Sequence, residues 1–83
     1  MLEHGDLIQF PDGKKWCFSN TGMKDEYGLS NGNGYTIKRG SLEEIYNFLP
    51  VGCYVIMKDF PYAMRDVEPY EIKHGNTQLN LFD

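Results

Sequence analysis

The side chains able to do chemistry in this chain are few: His4 and His74, Cys17 and Cys53, and the adjacent carboxylate pairs Asp25-Glu26 and Glu43-Glu44. A metal site needs Cys or His ligands at short, regular spacing. Neither histidine has such a neighbour and the cysteines form no C-x-x-C, so solvated histidines, reduced and mostly buried thiols and no metal are expected. Neighbouring carboxylates point apart on a strand and about 100° apart on a helix, so neither pair is preset to share a proton or an ion. Ser, His and Asp all occur, yet no local motif marks a nucleophile. Gly28 to Gly34 is glycine-rich, but it lacks the Lys-Ser/Thr ending of a phosphate loop and the dinucleotide spacing. The expectation is a non-enzymatic protein without a cofactor.

One short pattern carries a partner with it. Gln78-Leu79-Asn80-Leu81-Phe82 spells Q-L-x-L-F, which resembles the motif by which bacterial polymerases and repair proteins dock on the sliding clamp. The resemblance covers these five residues and does not extend to the body of the chain. It implies that Leu81 and Phe82 fill an apolar pocket on the clamp, that Leu79 adds an apolar contact, and that the Gln78 amide fixes register at the rim. Gly75 and Asn76 would supply the hinge. The implied function is a small adaptor or inhibitor in DNA replication or repair, of bacterial, phage or mobile-element origin. The rival reading makes His74 to Thr77 a turn and Gln78 to Phe82 an edge strand beside Tyr70 to Lys73. Leu79 and Leu81 would then face the core and Phe82 the opposite side. The protein would then be an acidic interaction module that inhibits a DNA-binding protein.

The composition narrows the partners. Twelve acidic and eight basic residues give a net charge of −4, which disfavours direct, high-affinity nucleic-acid binding. Lys14-Lys15 and Lys38-Arg39 are the only basic spots, and they could meet only if their strands are neighbours. No apolar run approaches the roughly 20 residues of a membrane span, and no secretory signal is evident, so a cytoplasmic protein is expected. At 83 residues, 41% hydrophobic and 14% aromatic, the chain can bury roughly two thirds of its unfolded surface around one modest core.

That core must come from short elements. Asp6 to Phe10 and Lys15 to Ser19 flank the turn signal Pro11-Asp12-Gly13-Lys14 and predict a β-hairpin, with Trp16 and Phe18 on one face. Asn20 to Gly34 reads as loop, with a hairpin turn at Asn31-Gly32 or Asn33-Gly34 leading into a strand at Tyr35 to Lys38. Ser41-Leu42-Glu43-Glu44 spells a capping box, and Leu42, Ile45, Tyr46 and Leu49 form one apolar stripe ended by Pro50 and Gly52. Cys53 to Met57 predicts a central strand. Tyr62 to Pro69 reads as irregular, and Tyr70 to Lys73 as a last strand with Tyr70 and Ile72 inward. The expected architecture is α+β: a small antiparallel sheet or open barrel with one short helix packed on it, as a domain over 1–74 and a C-terminal tail over 75–83.

Overall fold

The computed structural model describes residues 2–73. They form an open six-stranded antiparallel sheet with one short helix, the α+β arrangement expected. The strands are β1 (Asp6–Gln9), β2 (Lys15–Asn20), β3 (Tyr27–Ser30), β4 (Thr36–Gly40), β5 (Tyr54–Lys58) and β6 (Arg65–Glu71), and α1 (Leu42–Phe48) lies between β4 and β5. Their order across the sheet is β4-β3-β2-β1-β5-β6. The first four strands are a meander. The chain then crosses through α1 to add β5 and β6 on the other side of β1.

The local chemistry explains the first hairpin and the helix. At the β1–β2 turn Gly13 N–H donates to Phe10 O (2.9 Å), Phe10 N–H to Lys14 O (2.8 Å) and Lys14 N–H to Asp12 Oδ1 (2.9 Å). Gly13 sits at φ +90°, a conformation that costs glycine little. Ser41 caps α1: its Oγ accepts from Glu44 N–H (3.2 Å) while Glu44 Oε1 accepts from Ser41 N–H (2.8 Å). A helix of seven residues is too short to stand alone, and it is held by its apolar stripe. Ile45 and Leu49 are buried, and Leu42 and Tyr46 pack at the margin.

The core lies on one face of the sheet, beneath α1. Ile8, Trp16, Phe18, Leu29 and Val55 point into it, joined by Leu2, Ile45, Leu49, Cys53 and Ile72. Cross-strand register enforces this: Ile8 pairs with Trp16 on one side and Val55 on the other, and Phe18 pairs with Leu29. Leu7 is also buried but stands outside that cluster. It pairs with Cys17 and Met57 on the opposite face.

Two segments read as irregular are strands. Tyr27–Ser30 pairs with both β2 and β4. Its alternation is carried by Tyr27 and the fully buried Leu29 alone, because Gly28 and Ser30 offer no apolar signal of their own. The turn that follows spans both Asn-Gly dipeptides, with Asn31 Oδ1 accepting from Asn33 N–H (2.8 Å) and Tyr35 N–H (3.1 Å). Arg65–Pro69 belongs to β6, an edge strand whose exposed, charged residues need no apolar period. Tyr70 does lie on the core face, opposite Val55, but the edge leaves it 41% exposed while Ile72 is buried. Cys53 is buried as expected, Cys17 only half-buried. Lys14-Lys15 and Lys38-Arg39 do not adjoin, since β3 separates β2 from β4.

Candidate functional site

Gln78, Leu79, Leu81 and Phe82 lie outside the described residues. The described chain ends just past β6. Ile72 is the last core side chain among the described residues, and its N–H donates to Cys53 O at 2.9 Å. In an antiparallel strand the donor and acceptor of each residue turn to alternate sides. Tyr70 and Ile72 therefore bond toward β5, while Pro69, Glu71 and Lys73 present their polar groups to the side away from β5. Proline fits there, because position 69 owes no N–H to the ladder.

A groove lies on each face of this edge. On the core face, Leu2, Tyr46, Tyr70, Glu71, Ile72 and Lys73 line about 160 Å³; its floor is braced where Leu2 N–H donates to Tyr46 Oη at 2.9 Å. On the opposite face, Gln9, Phe10, Pro11, Gly52, Tyr54, Ile56 and Pro69 line about 290 Å³. Both mix apolar and polar lining residues.

The strongest electrostatic feature was not anticipated from sequence. Asp6 is 0% exposed, and Lys58 Nζ lies 3.0 Å from its Oδ1 and 3.1 Å from Glu3 Oε1. Asp6 Oδ2 accepts from Glu3 N–H at 2.9 Å. Oδ1 has no aligned hydrogen-bond donor, so the ammonium serves it as an ion pair. The Lys58 Nζ also sits 5.7 Å from the centre of the Tyr70 ring. Burial works against the charged ammonium, but Tyr70, Asp6 and Glu3 outweigh it and hold the Lys58 pKa above the ordinary lysine value. The cluster pins the start of β1 to the end of β5.

A β-bulge makes this pairing. Leu7 opposes Met57 while Ile8 opposes Val55, so β5 holds one extra residue at Ile56. The bulge turns Lys58 to the core side, beside Asp6. Simple alternation from Val55 would have sent it to the other face.

Several of the other chemical groups have structural partners. His4 Nδ1 accepts from Asn20 N–H at 2.9 Å, Glu26 Oε1 accepts from Thr21 Oγ1 at 3.0 Å, and Arg39 Nε lies 3.8 Å from Glu26 Oε2. Glu44 is held below its usual value by the Ser41 amide and hydroxyl. Burial, reinforced by Asp12, pushes the Cys53 thiol up to about 11. Burial and Asp6 raise Cys17 as well. Among the described residues no group of three His, Cys, Asp or Glu could hold a metal ion. Nor is any described helix long and apolar enough to cross a membrane. Comparisons with known protein families, with curated proteins and with solved structures gave no match.

Proposed function

We propose that the protein binds the bacterial DNA polymerase sliding clamp through Gln78, Leu79, Leu81 and Phe82, acting as an adaptor or inhibitor in replication or repair. The observation that carries this reading is the Q-L-x-L-F spelling at 78–82. Two features support it. The motif lies beyond the described residues, whose core is built from Leu2 to Ile72. Within residues 2–73, His4, Glu26 and Glu44 have structural hydrogen-bond partners and Cys53 is buried.

Leu81 and Phe82 supply most of the binding energy as buried anchors, and Gln78 sets register. A peptide of this size binds at roughly micromolar strength, because ordering it offsets much of the apolar gain. The test is a calorimetric titration of the full chain against purified bacterial sliding clamp, with Leu81→Ala/Phe82→Ala as control. Saturable binding that the double substitution abolishes is expected. No binding by the wild type, or equal binding by the double variant, overturns the reading.

A further inference from the structure

We infer that Asn33 is a site of covalent self-modification: the Gly34 nitrogen displaces its side-chain amide and converts it to aspartate and isoaspartate, while the fold shields Asn31 in the adjoining Asn-Gly dipeptide. The inference is independent of the clamp reading.

The sequence supplies the chemistry. Ser30-Asn31-Gly32-Asn33-Gly34 holds two Asn-Gly dipeptides in succession, and a glycine after the asparagine has no Cβ to obstruct ring closure. In each dipeptide the glycine N–H gives its proton to hydroxide, and the nitrogen attacks the asparagine Cγ. The N–Cγ bond forms, Nδ2 takes up a proton and leaves as ammonia, and a five-membered cyclic imide remains. Water then opens the ring at either carbonyl. One opening gives aspartate; the other gives isoaspartate, whose main chain runs through the former side chain. The net exchange is amide and water for carboxylate and ammonium, with nothing oxidised or reduced.

The fold separates the two dipeptides. Both lie in the turn between β3 and β4, on the far side of the sheet from β6. Asn33 is exposed and Asn31 half-buried. Asn31 Oδ1 accepts from Asn33 N–H at 2.8 Å and from Tyr35 N–H at 3.1 Å. Closing a ring onto Gly32 N swings this side chain toward the backbone and draws Oδ1 off both donors. Among the described residues, the bond that ring closure at Asn33 breaks is the one from Gly34 N–H to Asn31 O, 3.2 Å long. One hydrogen bond is worth roughly a fivefold factor in an equilibrium constant, so two broken at Asn31 against one at Asn33 favour Asn33 by roughly fivefold.

Conversion changes the turn in two ways. The new carboxylate adds one negative charge to the net −4. Isoaspartate also lengthens the main chain between the two N–H groups that Asn31 Oδ1 clasps, and Tyr35, which packs against Trp16 at 6.0 Å between ring centres, follows directly.

Timed incubation of the full chain in mildly alkaline buffer, followed by peptide mapping with mass spectrometry, tests the assignment. In the folded chain Asn33 should convert roughly fivefold faster than Asn31, and in urea the two should convert at equal rates. Asn33→Gln should remove the main acidic species that isoelectric focusing resolves in the aged wild type. Conversion at Asn31 as fast as at Asn33 in the folded chain overturns the inference. So does a folded chain that converts at neither site while the urea-unfolded chain converts at both. A bias toward Asn33 that persists unchanged in urea assigns the selectivity to the local sequence and overturns the shielding of Asn31 by the fold.

Discussion

Lys58→Met isolates the buried ion pair, because methionine keeps most of the lysine's length and removes its charge. Asp6 is fully buried, and its Oδ1 has only the Lys58 ammonium at 3.0 Å. The variant therefore leaves a carboxylate in the core margin with one backbone donor, Glu3 N–H. Stranding one partner of a buried pair costs about 3–5 kcal/mol. The low end applies here, about 3 kcal/mol, because the 72%-exposed Glu3 side chain marks a path by which water reaches the gap. For a domain of this size that lowers Tm by about 12 to 24 °C. Trp16, 7% exposed in the core, reports unfolding by fluorescence during a thermal melt. Asp6→Leu combined with Lys58→Met should be more stable than Lys58→Met alone, since removing both charges removes the stranded one. A loss below about 1 kcal/mol in the single variant, the level of an exposed pair, would refute the assignment of Asp6 as a buried anion. The pH dependence has a defined sign. Because the folded-state pKa of Lys58 is raised, its contribution is fully present below the ordinary lysine value of about 10.4 and is lost as pH rises beyond it. The stability difference between wild type and Lys58→Met should therefore be flat through neutral pH and shrink on the alkaline side.

Other substitutions probe the remaining joints. Gly5 has φ +95° and a Cβ there would stand 3.0 Å from Asp59 Cα, so Gly5→Ala should cost more than about 1 kcal/mol in a urea titration; a neutral result would show that the two backbones separate readily. Ser41→Ala should cost about 1 kcal/mol through loss of the cap, and a wild-type melting curve would refute that role. Since Glu44 is depressed, its capping contribution is present above the ordinary carboxylate range and lost as pH falls through its lowered value; Glu44→Gln should lack that acid-side loss in circular-dichroism melts. With its thiol pushed up to about 11, Cys53 should alkylate at pH 8 on the order of a hundredfold more slowly than free cysteine. Equal rates by mass spectrometry would contradict its burial.

The elements specified by local chemistry were legible. Asp12-Gly13 and Ser41 to Glu44 encode a turn and a cap within a few residues, and both form as spelled. β3 was hidden because a strand buried between two neighbours can carry glycine at position 28 and still pair through its backbone. β6 was hidden for the opposite reason: as an edge strand it has little to bury, and its sequence is free to be charged. The Asp6–Lys58 pair was out of reach for a third reason. Its members are far apart in the chain, are joined by a strand crossing, and face each other only because Ile56 is an extra residue in β5. The motif at 78–82 is legible as a spelling alone, whereas the grooves lined by Tyr46, Tyr54 and Pro69 emerge only once those residues are placed in space.

The strand order also has a consequence for synthesis. β1 emerges first, finds β2 within a few residues, and then waits for β5 before its other edge is paired. At about 5–20 residues per second, that interval lasts seconds, during which Ile8 and the free edge of β1 face whatever other chains are near. Asp6 discriminates among them. A foreign strand that paired with β1 would bury its carboxylate without an ammonium, whereas β5 arrives carrying Lys58 at the one register that neutralises it. The ion pair that joins β1 to β5 in the finished fold thus also favours β5 over other strands while the core is still being made.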